Sequence, residues 1–341
     1  MKYGKPHLSF DEQVAQLQSR GLAIPDREAA VRLLTKVGYY GLSAYVYPYR
    51  SLLPVDQQSG AHFRSDDLRS GVEWGHVEAL WAFDRRLRRL VLEAAETIEV
   101  GARTRLAYVL GARDPFAHVT PDSLDARACD RPGPADLTTY GAWEKKYRQQ
   151  LNEAKGEDFV KHHLLTYTES EIPIWVAVEF LSFGSVTRLL SLAKPADQNA
   201  IARPLGVSSG QRLHGFLMTV SLVRNIAAHY GRLWNRQLGV SLSKFYATEV
   251  GPDLGHLADR TMEPKLYGVL AVMAYLVRTI DPSSNWPRTL ATHLRKFPLV
   301  PYLTAQVDMG MPDGWDSLPL WRDEPRRDGF TFPSQRPQET S

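Results

Sequence analysis

Apolar positions repeat at three- and four-residue steps along much of this chain, and the repeat defines its elements. Phe10, Val14 and Leu17 predict a first helix over residues 10–20, with Gly21 at its C-terminal cap. Asp26 is placed to cap a second helix that carries Ala30, Leu33, Leu34 and Val37 and closes at Gly38. Two short helices across a tight turn suggest a small helix-turn-helix-like unit. The tyrosine-dense stretch YYGLSAYVYPYR that follows serves either as core or as a stacking surface. Residues 54–71, rich in Ser, Asp, Gln and Gly, read as a connector. From about Val72 to Leu110 the period is strongly helical. Leu80, Phe83, Leu87, Leu90, Ala94, Ile98 and Gly101 line one face of a long amphipathic helix.

The second half continues in helices. Residues 111–140 hold several Pro, Gly and Asp and no clear period, so they read as a surface loop or insertion. Residues 141–167 look helical and polar. Pro173 opens IWVAVEFLSFGSVTRLLSLA, which is apolar on most sides and predicts one helix in the middle of a bundle. The next helix spans Leu213 to about Trp234. Another begins at Glu263 or Pro264 and carries Leu266, Val269, Leu270, Met273, Leu276 and Val277. Past Asp281 the chain is rich in Pro and Trp and is expected to wrap the surface, with a loose tail over the last dozen residues. No strand alternation stands out. The expected fold class is all-α: an N-terminal helical unit over 1–60, a helical bundle over 72–281 with an insertion at about 111–140, and an irregular wrap and tail over 282–341.

Composition narrows the class. The chain has 341 residues, 43% apolar and 23% charged, enough to bury a core in one large domain or two ordinary ones. A single cysteine, Cys129, excludes an intramolecular disulfide and a cysteine metal cluster. The opening MKYGKPHLSF lacks the apolar stretch of a secretory signal, and no run of 18 apolar residues predicts a membrane span. A cytoplasmic location with no membrane partner is therefore expected. None of GxGxxG, the P-loop, HExxH or GxSxG occurs.

Charge adds more through its distribution than through its net value of +3. Between Gln198 and Thr248 there is no Asp or Glu, while Arg203, Arg212, Arg224, Arg232, Arg236 and Lys244 give a local charge of +6. This points either to an anionic partner or to chance clustering about a core helix. Within it lies SLVRNIAAHYGRLWNR, residues 221–236. Placed on a helix, Asn225, His229, Arg232 and Arg236 form one polar stripe, and Val223, Ile226, Tyr230 and Leu233 the neighbouring buried one. Arg224 and His229, five apart, diverge by about 140° on a straight helix. Common action then needs a bend, a helix end, the reach of the arginine, or a second copy. Gly231 is where such a helix can loosen.

Arginine grips phosphate and stabilises charge developing at phosphorus, and histidine moves a proton near neutral pH. A segment without carboxylates is poor for Mg²⁺ or Zn²⁺, so neither metal nor cofactor is expected. RNA brings its own nucleophile, the 2′-OH. One His and one Arg suffice for metal-independent transesterification, with a 2′,3′-cyclic phosphate and a 5′-OH as products. In-line cleavage wants a base and an acid on opposite sides, and a two-fold dimer would supply the second His. The competing reading is a satisfied core histidine among surface arginines. On the long helix, Arg85, Arg86, Arg88 and Arg89 point mostly away from the apolar stripe, as a solvated face or a phosphate-contacting ridge. Glu99 and Arg103 form an i,i+4 pair.

The block RNIAAH, Arg224 to His229, resembles the R-x4-H motif of HEPN ribonucleases. Extended through RLWNR, it resembles the Abi-like (AbiD/AbiF) abortive-infection proteins of bacteria. KPHLSFDEQVAQLQSRGLAI, LLTKVGYYGLSAY, LWAFDRRLRRLVLEAAETIEVGARTRLAY, IPIWVAVEFLSFGSVTRLL and MGMPDGWDSLPLW are similar to that family in the same order. The chain departs where the family typically reads YYRLSGY, having Gly41 and Ala44, and at Met311, where Phe is common. The resemblance implies a HEPN-like bundle acting as an endoribonuclease in phage defence or a toxin–antitoxin system. It implies catalytic roles for Arg224 and His229, with Asn225 orienting the pair or binding phosphate. Arg232, Asn235, Arg236, Arg103 and Glu99 would contact RNA or its phosphates. The implied partners are RNA as substrate, a small regulatory RNA, and a second copy as homodimer. The alternative is a non-catalytic RNA-binding protein in a ribonucleoprotein. A third reading is a helical interaction protein in which Arg224 and His229 are structural.

Overall fold

The computed structural model describes residues 4, 6–60, 63–239, 242, 244–258 and 265–322. Its first helix, α1 (Phe10–Ser19), starts in a capping box: the Ser9 hydroxyl accepts the Glu12 N–H, and the Glu12 carboxylate accepts the Ser9 N–H. Gly21, at φ +94°, turns the chain out of it. The Asp26 carboxylate accepts the Ala29 N–H and starts α2 (Arg27–Val37), which stops at Gly38. Gly38, at φ +80°, leads straight into α3 (Tyr39–Val46). Val14, Leu17, Ala30, Leu33 and Leu34 face inward, as the apolar spacing predicts, whereas Phe10, expected on the same face, sits in the first turn and is 40% exposed. Leu42 and Tyr45 of the tyrosine-dense stretch are buried as well.

A small sheet that the sequence does not announce pairs the end of the tyrosine-dense stretch with the connector. β1 (Arg50–Leu52) pairs antiparallel with β2 (Arg64–Leu68), Arg50 opposite Leu68 and Leu52 opposite Arg64. Neither strand buries a face, so neither shows apolar alternation; β2 reads RSDDL.

The axis of the molecule is α4 (Trp74–Gly111), 38 residues and so about 57 Å long. Leu80, Leu87, Leu90, Val91, Ala94, Ile98, Leu106 and Leu110 along it are buried. The insertion contains the short α5 (Ala126–Cys129) between single turns. The polar stretch after it is two helices, α6 (Thr139–Glu153) and α7 (Asp158–Thr166).

The apolar run after Pro173 is not the single helix that its composition suggests. It divides into α8 (Ile174–Phe180) and α9 (Phe183–Leu192), because Leu181 is extended and Ser182 caps the second helix through the Ser185 N–H. Gln150 holds the break: its Oε1 accepts the Ser182 N–H, and its Nε2 donates to Ser182 Oγ. A local cap outweighs continuous hydrophobicity there.

Next come α10 (Pro195–Ala202) and α11 (Gly210–Ala228). A Cβ on Gly210 would lie 2.2 Å from Gln198 Cβ, so only glycine permits this close approach of the two helices. The almost wholly buried α12 (Leu266–Ile280) fills the centre; its expected start at Glu263 or Pro264 lies outside the described residues. Helices α3, α8, α10, α11 and α12 all pack on α4.

The segment past Asp281 is more ordered than a wrap. It forms α13 (Trp286–Leu294) and α14 (Ala305–Met309), and Trp286 Nε1 donates to the Leu90 carbonyl of α4 at 2.9 Å. The last dozen residues lie outside the described residues. One buried apolar cluster joins all three regions, from Val14 to Trp321. The fold is all-α, as the periodicity predicts, apart from the β1–β2 pair. Among the described residues no helix is long and apolar enough to cross a membrane.

Candidate functional site

The motif segment is not one helix through Trp234. Helix α11 ends at Ala228, with His229 at its C-cap. The Gly231 N–H bonds the Ile226 carbonyl at 2.8 Å and the Tyr230 N–H bonds that of Ala227 at 3.1 Å, which together make a Schellman termination. Tyr230 takes the left-handed position at φ +60°, where a non-glycine residue costs roughly 1–2 kcal/mol. Gly231 is required next to it, since a Cβ there would meet Ile226 Cγ2 at 2.9 Å and its carbonyl oxygen at 3.1 Å.

This ending corrects the two helical stripes. Asn225 and His229 share the exposed end of α11, but Arg232, Asn235 and Arg236 follow in non-helical chain. Tyr230, expected on the buried face, is 86% exposed. The angular gap between Arg224 and His229 is met by a helix end, and among the described residues no hydrogen bond or ion pair joins the two.

Arg224 is half-buried where α11 crosses α4. Its Nη2 lies 3.6 Å from Glu99 Oε2, and its Nη1 donates to Asn225 Oδ1 at 3.1 Å. Glu99 is buried and also pairs with Arg103. Arg103 further donates to the carbonyls of Glu179 (3.2 Å) and Leu181 (2.7 Å), at the end of α8. So the acid-free segment is not acid-free in space: Glu99 reaches Arg224 from α4, and Glu249 meets Arg212 at 3.3 Å. Arg103 faces protein carbonyls rather than open solvent. His229 is exposed, with no hydrogen-bond partner among the described residues. No three His, Cys, Asp or Glu side chains among them converge as a metal-binding set.

The chain beyond the motif is held by Asp84, a residue that the reading of the sequence passes over. This fully buried carboxylate accepts the Leu233 N–H (3.1–3.2 Å), the Trp234 N–H (2.9 Å), the Tyr45 hydroxyl (2.7 Å) and Arg88 Nη1 (2.7 Å). Burial pushes the carboxyl upward, and these partners pull it back toward the ionised form. Arg88 is correspondingly buried, unlike Arg86 and Arg89, which face solvent as expected. The i,i+4 spacing of Asp84 and Arg88 was the available signal.

Arg232 turns from the α11 edge toward the N-terminal unit and donates to the Ala44 carbonyl. Burial holds its guanidinium below the usual arginine range. With Asn235 and Arg236 it lines an open cavity of about 540 Å³ against α3. The expected basic site is thus two surfaces: the α11 end with Arg224, Asn225, His229 and Glu99, and this second cavity.

Fold and site together define an all-α bundle protein that presents an arginine, an asparagine and a histidine at the end of a core helix. A family model described as Abi-like protein matches residues 32–235, from within α2 to just past the motif. The chain belongs to the Abi-like family, which associates it with abortive-infection defence. Neither a curated protein nor a solved structure matches it significantly.

Proposed function

We propose that this chain is a metal-independent HEPN-type endoribonuclease of a bacterial abortive-infection or toxin–antitoxin system, acting as a homodimer. The observation that supports this best is the presence at one helix end of an exposed His229, without a hydrogen-bond partner among the described residues, and an Arg224 steadied by Glu99 and Asn225. In this reading His229 takes the proton of an RNA 2′-OH, and the oxygen attacks the adjacent phosphorus. The P–O5′ bond breaks, leaving a 2′,3′-cyclic phosphate. The leaving 5′-oxygen takes its proton from His229 of a second copy, and Arg224 holds the phosphate oxygens as charge builds. The single His229 of each chain is the reason for invoking two copies, since in-line cleavage wants a base and an acid on opposite sides.

A second reading is a non-catalytic RNA-binding protein that forms a ribonucleoprotein with a small RNA. It is favoured by the Glu99 carboxylate, which partly neutralises Arg224. Purified protein incubated with total RNA in EDTA separates the two. The wild type is expected to leave 2′,3′-cyclic phosphate and 5′-OH ends, and His229→Ala to lose about 10²–10⁴-fold in rate. Undiminished cleavage by His229→Ala would refute the catalytic role. Arg224→Ala that abolishes RNA binding, with no cleavage ever seen from the wild type, would select the binding protein.

A further inference from the structure

We infer that the cavity between α3 and the chain after the motif is a nucleotide-binding pocket, in which Arg232 and Arg236 take the phosphate and Tyr40 stacks on the base. It is lined by Tyr40, Tyr47, Arg50, Arg232, Asn235 and Arg236 among others, and by none of Glu99, Arg103, Arg224, Asn225 or His229. At about 540 Å³ it falls within the ~300–1,000 Å³ range of small-ligand pockets.

Its chemistry is that of a nucleotide in three parts. The first is cationic. Arg236 is exposed and, among the described residues, its guanidinium has no hydrogen-bond or ion-pair partner. Arg232 is largely withdrawn from solvent, and among the described residues its side chain has the Ala44 carbonyl as hydrogen-bond partner and no carboxylate in ion-pair contact. Asp84 and Asp308 act on it only from a distance, and Asp66 is taken up by Arg50 at 2.7 Å and by Arg20. A phosphate fits where two neighbouring guanidinium groups have no carboxylate in direct contact.

The second part is aromatic. Tyr40 is 92% exposed on α3, with its ring free to take a base, while Tyr47 already lies under Arg50 and Arg64 at 5.6 and 5.7 Å. The third is a polar edge. Asn235 lines the cavity, and its Oδ1, closed off from solvent, has no hydrogen-bond partner among the described residues to hold the amide in place. A rotation of that amide turns a donor and an acceptor toward the cavity, which suits a base edge better than a bare anion.

The nucleotide can be free or part of an RNA strand. Calorimetric titration with adenosine 5′-monophosphate and with a ten-nucleotide, 2′-O-methylated RNA distinguishes the sources. Arg236→Ala and Tyr40→Ala, both at exposed side chains, are expected to keep the wild-type melting temperature. Each should weaken binding at least fivefold. An effect on the monophosphate identifies a free nucleotide; an effect on the RNA alone identifies a nucleotide of a strand. The inference is independent of RNA cleavage, because the monophosphate and the 2′-O-methylated RNA are read by binding alone and neither can be cleaved through a 2′-OH attack on a following phosphate. It is overturned if neither variant weakens either probe, or if inorganic phosphate competes as well as the monophosphate.

Discussion

At the scale of single residues, His118 shows how burial alone sets a pH response. Its ring lies edge-on to Trp143 and Tyr147, at 6.3 and 5.1 Å, and neither nitrogen finds a partner among the described residues. Burial pushes the imidazole down from 6.5 to about 4, against weaker upward pulls from Glu171 and Asp114. A base with a depressed folded-state value binds fewer protons folded than unfolded between those limits. Its contribution is therefore intact above about pH 6.5 and is lost as pH falls toward 4, by at most ~3 kcal/mol. Urea unfolding at pH 7 and pH 4.5 should show that loss in the wild type and a shallower one in His118→Phe. Equal losses in both proteins would contradict it. Nothing in the sequence marked this histidine, since it stands alone in an insertion without period. Arg224, Asn225 and His229 were legible by contrast, because their spacing and acid-free surroundings are local properties.

At the scale of elements, the informative features are helix ends. The periodicity continued past Ala228 and past Phe180, and in both places capping stopped the helix, by backbone bonds after Ala228 and by the Ser182 and Gln150 side chains after Phe180. At Ala228 the reason is tertiary as well as local: Leu233 and Trp234, just beyond the turn, give their N–H groups to Asp84, 149 and 150 residues away in sequence. That bond ties α11, α4 and, through Tyr45, α3 into one joint. Asp84→Ala should cost about 3–5 kcal/mol, because it leaves Arg88 buried and two backbone donors unsatisfied. A double variant, Asp84→Leu with Arg88→Leu, should recover part of that loss. Chemical denaturation measures both, and an Asp84→Ala protein within 1 kcal/mol of wild type would remove Asp84 from this role. The same joint decides the site. It turns Arg232 away from the α11 edge, so a stripe that helical geometry draws through Asn225, His229, Arg232 and Arg236 becomes two surfaces.

At the scale of the whole molecule, the proposed composite site makes a prediction about copies. If cleavage needs His229 of both copies, a dimer with one His229→Ala chain is inactive. An equal, freely exchanging mixture of wild-type and His229→Ala chains should then keep about a quarter of the cleavage of the same total amount of wild-type protein, since only about a quarter of the dimers carry two histidines. Cleavage that falls only to about one half, in proportion to the wild-type share, would place the site within one chain.

The sequence by itself determined the all-α class, the first two helices with their caps, the long α4 and the motif residues, because period, capping chemistry and local charge are written within a few residues. Family resemblance was legible for the same reason, in ordered blocks. Only the tertiary structure decided which charges meet. Glu99 comes to Arg224 across 125 positions, Asp84 to the turn after His229, and Ala44 to Arg232. Long-range packing brings such partners together, and no local pattern encodes it.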